Sequence, residues 1–218
     1  MDLSILYYQE GFRQQVIDTL AREPVDYVEQ LRFIDKQRKA QDYWEGGGVL
    51  LPIFFREEQR QEGKDFGQYV FLLNKRSKSV RQSGDLCAPG GGVHPFSDSL
   101  SQKILELRLL PLVHGPGLKR AKLRGKETYR RILFLLGSAL RESWEELRLS
   151  PFNIEFLGPL PTYSLESRRW TIFPLVGRVK KAWKPKLGGE VEKIVSIPLQ
   201  FFSSLPTMRF IRWRYRRN

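Results

Sequence analysis

A single cysteine, Cys87, stands in 218 residues, so an internal disulfide is excluded and a reducing, cytoplasmic setting is expected. No run of about 18 uncharged apolar residues occurs, so no membrane-spanning helix is predicted. The opening stretch, MDLSILYYQEGFRQQ, has no basic segment followed by an apolar one, so no signal peptide is expected. Internal repeats and low-complexity tracts are absent as well. Acidic residues are scarce relative to basic ones: 24 Asp and Glu face 37 Lys and Arg, a formal charge of +13. That balance favours anionic partners, namely phosphates, nucleotides, nucleic acid or an anionic membrane surface.

What is present suffices for a packed core. Hydrophobic residues make up 41% of the chain, with five Trp, eight Tyr and fourteen Phe, and the length suits one domain over 1–218. Residues 1–45 read as a helical segment. The GGGVLLPIFF stretch (46–55) reads as a glycine hinge followed by a buried strand, which pairs through a charged turn with QYVFLLNKRS (68–77) as a hairpin. VRQSGDLCAPGGGVHP has one Pro and four Gly within 84–92 and reads as a loop. A helix is predicted over 97–113, from Ser and Asp caps and the spacing of Leu100, Ile104, Leu105, Leu107 and Leu109. A Gly-punctuated basic loop follows, then a long helix over 127–147 that Pro151 ends. Strand-like pieces come next, in FNIEFLGPL, WTIFPLVGRV and EKIVSIPL. Basic residues cluster in three places: 119–131, 178–186 and the C-terminal MRFIRWRYRRN.

Two motifs carry chemistry. On the long helix, Glu142, Glu145 and Glu146 have the i, i+3, i+4 spacing that places side chains on one face. Like charges so placed repel, and a divalent cation reverses the sign; Mg²⁺ and Mn²⁺ favour hard carboxylate oxygens. An acidic surface stripe, with Arg141 and Arg148 as counter-ions, is the alternative. The second motif is APGGGVHP, where Gly90, Gly91 and Gly92 let backbone approach a polyphosphate closely. Glu190 is a further candidate metal ligand or base. His94 and His114 read as loop histidines, and Cys87 as a small buried filler beside a strand.

Together, Pro89-Gly90-Gly91 and Arg141-Glu142-Ser143-Trp144-Glu145-Glu146 resemble the box of the Nudix hydrolases, in which a PGG loop leads into a helix bearing R-E-x-x-E-E. LLNKRSKSVRQSGDLCAPGG, LGPLPTYSLESRRWTIFPLVGRV and GGEVEKIVSIPL are similar to segments of the coenzyme A pyrophosphatase-like branch. The resemblance covers about 46–200. It implies an α/β/α sandwich around a mixed β-sheet, with the core at 46–94 and 129–200. It also implies hydrolysis of a phosphoanhydride in a nucleoside diphosphate derivative, coenzyme A or a related small nucleotide. Mg²⁺ or Mn²⁺ would be held by Glu142, Glu145 and Glu146, with Arg141 orienting a neighbouring carboxylate. Phosphates would lie against Gly90–Gly92, with Arg76 and Arg81 as further contacts.

The chain departs from the pattern in several places. Gly91 and Arg141 are separated by 49 residues, 92–140, so 95–128 reads as an insertion of helix and basic loop. Its second half is expected to be mobile and the whole to cap the site as a lid. The box glutamate has no counterpart, Ala88 stands where Phe is usual, and Arg148 replaces a Gly after the helix. Residues 201–218 read as a basic, aromatic strand. Two readings stay open beside the pyrophosphatase: a module that binds nucleotide or RNA without turnover, and an enzyme acting on RNA ends. A monomer or homodimer, without a membrane partner, is expected.

Overall fold

The computed structural model of the protein describes residues 6–7, 9–57, 67–80, 82–92, 102–103, 105–106 and 114–203. Two helices open the chain, α1 (Gln9–Arg22) and α2 (Tyr27–Lys39), and strands β1 (Glu45–Glu57), β2 (Gly67–Arg76) and β3 (Leu86–Cys87) follow. Then come α3 (Pro116–Lys122) and the long α4 (Lys126–Leu147). Strands β4 (Ile154–Pro159), β5 (Tyr163–Leu165), β6 (Trp170–Val179) and β7 (Val191–Pro198) and a short α5 (Leu199–Ser203) complete the order. The seven strands form one sheet with the path β3-β2-β1-β6-β4, β5 adding to β6 and β7 to β2. It is mixed: β1 and β6 run parallel, with Leu50 opposite Leu175, and the other pairs are antiparallel.

Apolar side chains pack on both faces, because strand residues alternate between them. Leu50, Val70, Leu72, Phe156, Phe173 and Leu175 meet the α4 residues Ile132, Leu135, Leu136 and Ala139, together with Tyr27 and Ile34 of α2. Phe12, Ile17 and Leu20 of α1 cluster with Ile53, Phe55, Tyr69, Leu157 and Val176. The result is an α/β/α sandwich, with α1 and Leu199 of α5 on one side. α1 is tied down by charge as well: Glu155 of β4 accepts hydrogen bonds from Arg13 Nε at 2.9 Å and from Arg178 Nε at 2.8 Å.

Gly46–Gly48 are not a hinge; they lie inside β1, paired with Thr171, Ile172 and Phe173. Close approach explains them. A Cβ on Gly48 would fall far inside van der Waals contact with the Leu135 carbonyl oxygen, and one on Gly47 would do the same with that of Gly91. The first glycine seats α4 against the sheet, and the second seats the glycine loop. Main chain yields poorly, so Gly48→Ala is expected to destabilise the fold by about 3 kcal/mol. Chemical denaturation checks this, and an unchanged midpoint would show that α4 shifts freely.

Residues 114–125 contradict the expectation of a mobile lid. Here α3 docks on β4: Leu118 and Ala121 are buried, and Gly117 lies against the carbonyls of Phe156 and Leu157. Arg124 then donates to the carbonyl oxygens of Leu20 (2.6 Å), Ala21 (3.1 Å) and Glu23 (2.8 Å), closing the C-terminal end of α1. The basic residues that suggested a loop are the exposed face of an apolar-backed helix: Lys119, Arg120 and Lys122 point outward. Of the helix predicted over 97–113, residues 102–103 and 105–106 are described; they are helical, and Leu105 is buried. The predicted C-terminal strand is corrected at its start, where α5 is helical, and 204–218 lie outside the described residues. Among the described residues no helix is long and apolar enough to cross a membrane.

Candidate active site

An open cleft of about 1750 Å³ lies where the N-terminal half of β1, the glycine loop, the last turns of α4 and the β5–β6 hairpin meet. One wall is charged. Glu142, Glu145, Glu146 and Arg141 line it from α4, with Arg76 from the end of β2 and Glu190 from the loop before β7.

The three helix carboxylates have different surroundings. Glu142 is largely buried and pairs with the Arg141 guanidinium at 2.8 Å. A Cβ on Gly91 would come within 2.5 Å of its carboxylate, so the glycine loop lies directly on it. Glu145 sits at the rim, its side chain 54% exposed and 3.1 Å from Arg141 Nη1. Arg141 also reaches the carbonyl of Gly92 at 3.4 Å, tying the helix to the loop. Glu146 is partly buried, and Asn74 Nδ2 donates to its Oε2 at 2.6 Å. Burial above all, and then the charges of Glu142 and Glu190, push the Glu146 carboxyl up to about 7, against the pull of Arg76 and the Asn74 hydrogen bond. The Asn74 carbonyl oxygen is buried and lacks a hydrogen-bond partner.

Among the described residues no three carboxylates converge tightly enough to form a finished cation site. Glu145 is held aside by Arg141, whereas Glu142 and Glu190 are near enough for their charges to raise the Glu146 carboxyl. The donor chemistry fits a hard divalent cation: carboxylate oxygens, with the orphaned amide oxygen of Asn74 beside them.

A loop of 180–190 places Glu190. Trp183 Nε1 donates to the Leu147 carbonyl at 3.3 Å, and Gly188 N–H to that of Glu146 at 2.7 Å. Ser77 Oγ holds the Gly189 carbonyl at 2.8 Å, and Ser77 N–H that of Glu190 at 2.9 Å. The loop thus satisfies the open carbonyls at the end of α4. Arg148, where the Nudix pattern has Gly, takes the left-handed conformation at φ 54° and stacks its guanidinium 5.3 Å from the centre of the Trp144 ring.

Of the other residues singled out in sequence, Gly90, Gly91 and Gly92 line the cleft, and so does Cys87. Cys87 is therefore not a buried filler: it is half-buried on the wall, facing Arg76, and burial pushes its thiol up. His114 is exposed. Arg81 and His94 lie outside the described residues. Sequence reasoning missed Asn74 and the cleft-lining residues Tyr163, Leu165, Trp170 and Ile172. The signal for Asn74 was a polar residue within an apolar strand run, QYVFLLNKR.

Neither any protein-family model nor any curated protein matches the chain. Solved structures do resemble it at low identity. A Nudix hydrolase from Alicyclobacillus acidocaldarius aligns with 73% of this chain and 81% of its own, at 13% identity and a TM-score of 0.44. A C. elegans Ap4A hydrolase binary complex aligns over 71% and 80%, at 15% identity and 0.41. The Nudix domain of Shewanella oneidensis NrtR, complexed with ADP ribose, aligns over 77% and 81%, at 15% identity and 0.40.

Proposed function

We propose that the protein is a Nudix-type hydrolase that uses Mg²⁺ or Mn²⁺ to cleave a phosphoanhydride bond in a nucleoside diphosphate derivative, coenzyme A or a related nucleotide. The observation that carries this reading is the partly buried carboxylate Glu146. It is surrounded by Glu142 and Glu190, pushed up to about 7, and set beside a glycine loop that lies on Glu142. A partly buried carboxylate beside two like charges is unfavourable by itself, and its chemistry suits a cation and an anionic substrate.

Glu142 and Glu146 would hold the cation, with Glu190 as a further ligand or as the base. Such a cation polarises a phosphoryl oxygen and acidifies a bound water. In hydrolysis the water oxygen bonds to one phosphorus, and the bridging oxygen leaves with the other phosphoryl group. Of the water's two protons, one passes to a base and the other stays on the phosphate product. Arg141 fixes both Glu142 and the Gly92 carbonyl, and so keeps loop and helix in register. Arg76, on the same wall, supplies positive charge for phosphate oxygens, and Gly90–Gly92 offer a surface without side chains.

A panel of coenzyme A, NADH, ADP-ribose, dinucleoside polyphosphates and capped or triphosphorylated RNA tests this, with Mg²⁺ and with chelator. Release of nucleoside monophosphate only with the metal is expected for at least one small nucleotide. The exposed basic residues Lys119, Lys122, Lys126 and Arg130 favour RNA as the second reading. No turnover on any member, together with salt-sensitive RNA binding, would replace the hydrolase with a binding module.

A further inference from the structure

The β5–β6 part of the cleft lining is largely apolar. In the β5–β6 pair, Tyr163 stands opposite Ile172, Ser164 opposite Thr171 and Leu165 opposite Trp170. Side chains alternate along a strand, so Tyr163, Leu165, Trp170 and Ile172 share one face, and all four line the cleft. Ser164 and Thr171 share the other. We propose that this four-residue face is a subsite for a nucleobase, against which the heteroaromatic ring of the substrate stacks. The proposal rests on the reading that the substrate's phosphates lie against Gly90–Gly92, beside a cation held by Glu142 and Glu146.

The platform is held rigidly from behind. Thr171 is fully buried, and its hydroxyl accepts from Trp44 Nε1 at 2.9 Å and lies 3.1 Å from Ser164 Oγ. At the entry to the hairpin, Asp26 accepts from both the backbone N–H (3.0 Å) and the hydroxyl (2.6 Å) of Thr162. The front, by contrast, is open: Tyr163 is 50% exposed, although it is large and apolar on its faces. A rigid, exposed aromatic surface loses little entropy on binding a flat ring.

The platform adjoins the charged wall. A Cβ on Gly92 would stand 3.4 Å from Cη2 of Trp170, and one on Gly91 would stand 2.5 Å from the Glu142 carboxylate. Two consecutive residues, about 3.8 Å apart at Cα, therefore connect the indole to the carboxylates. A ligand with phosphates at one end and a planar ring at the other matches that layout. Arg168, in the β5–β6 turn, is exposed, lines the same cleft and forms no ion pair among the described residues, leaving a cation for the ring or its phosphates. The hydroxyl of Thr162 is already committed to Asp26, and the four side chains of the face carry only the Tyr163 hydroxyl and the Trp170 indole N–H as polar groups. Stacking without edge readout tolerates any base, so adenine and guanine nucleotides are expected to bind within a few-fold of one another.

The test is calorimetric binding in Mg²⁺ of two non-hydrolysable probes, α,β-methylene-ADP and methylenediphosphonate, which differ by the nucleoside. Wild type is expected to bind the nucleotide at least about tenfold more tightly. Tyr163→Ala should lose about tenfold on the nucleotide and nothing on the diphosphonate, and Tyr163→Phe should restore wild-type binding. The guanine analogue should follow the adenine one. Equal affinities for the two probes, wild-type nucleotide affinity in Tyr163→Ala, or no binding of either probe would overturn the proposal. So would tighter binding of hexyl phosphate than of AMP, which would assign the face to an aliphatic chain. Failure of the hydrolase reading would show separately, as absence of Mg²⁺-stimulated turnover with the nucleoside-dependent binding intact.

Discussion

Glu146→Gln is expected to abolish turnover and, in the same molecule, to stabilise the metal-free fold above pH 7. A free glutamate titrates near 4.5, whereas Glu146 is pushed up to about 7 by its burial and by Glu142 and Glu190. The folded-state value lies above the unfolded one, so between those two pH values the folded chain binds more protons than the unfolded chain. The group's contribution to stability is therefore complete below 4.5 and is lost as pH rises through about 7. At pH 8 the loss amounts to at most about 3 kcal/mol. Glutamine carries no charge and can still accept from Asn74 Nδ2, so the variant escapes it. Urea denaturation in chelator should show a higher midpoint for the variant at pH 8 and matching midpoints at about pH 4, below the unfolded value. Identical midpoints at both would remove the electrostatic strain from Glu146. In Mg²⁺ the same variant should lose at least about a hundredfold in activity, because outer contacts to a metal ligand alone are worth 10–100-fold. Full activity would remove Glu146 from the site.

Glu155→Ala should be the most damaging change outside the cleft. Glu155 is buried between Arg13, whose Nη2 also bonds its Oε1, and Arg178. Burial pushes its carboxyl up, but the Arg13 hydrogen bonds and the charge of Arg178 win, and the net value is lowered. Removing the carboxylate leaves two guanidiniums, with side chains 21% and 13% exposed, facing one another. Losing one partner of such a buried set costs about 3–5 kcal/mol, a fall in Tm on the order of 10 °C for a chain of this size. Thermal melting at pH 7 measures it. A fall of less than about 2 °C would mean that the arginines find water instead. Its pH dependence runs opposite to that of Glu146: stability from Glu155 is present above the unfolded carboxylate value and is lost as pH falls through the lowered folded one.

Much of the fold was legible because it follows from periodicity. The long helix runs from Lys126 to Leu147, one residue from its expected start, and the hairpin of β1 and β2 pairs as read, with Ile53 opposite Phe71. The glycine loop and the carboxylate helix were visible as motifs, and the cleft contains both. What escaped was tertiary. Glycines 46–48 looked like a hinge because composition does not reveal that α4 and the glycine loop approach β1 at backbone distance. The stretch at 116–122 looked like loop because three of its seven residues are basic and its apolar side is only Leu118 and Ala121. Equal spacing on α4 did not disclose that Arg141 holds Glu145 at the rim while Asn74 draws Glu146 inward. The three-residue β5 was too short to show alternation, although its register with β6 sets one whole wall of the cleft.

The ties on α1 have a consequence for biosynthesis. Its C-terminal carbonyls are closed by Arg124, and its Arg13 meets Glu155 and, across that carboxylate, Arg178. All three partners are encoded far downstream, the last roughly 150 residues after the helix ends. At about 5–20 residues per second the ribosome reaches Arg178 some 8–30 s after completing α1. Throughout that interval Phe12, Ile17 and Leu20 can meet Ile53, Phe55 and Tyr69 of the early hairpin, but lack Leu157 and Val176, the part of their cover that β4 and β6 supply. The nascent chain therefore carries α1 half covered until β4 and β6 are made, and its apolar stripe is open to a general holdase for that time.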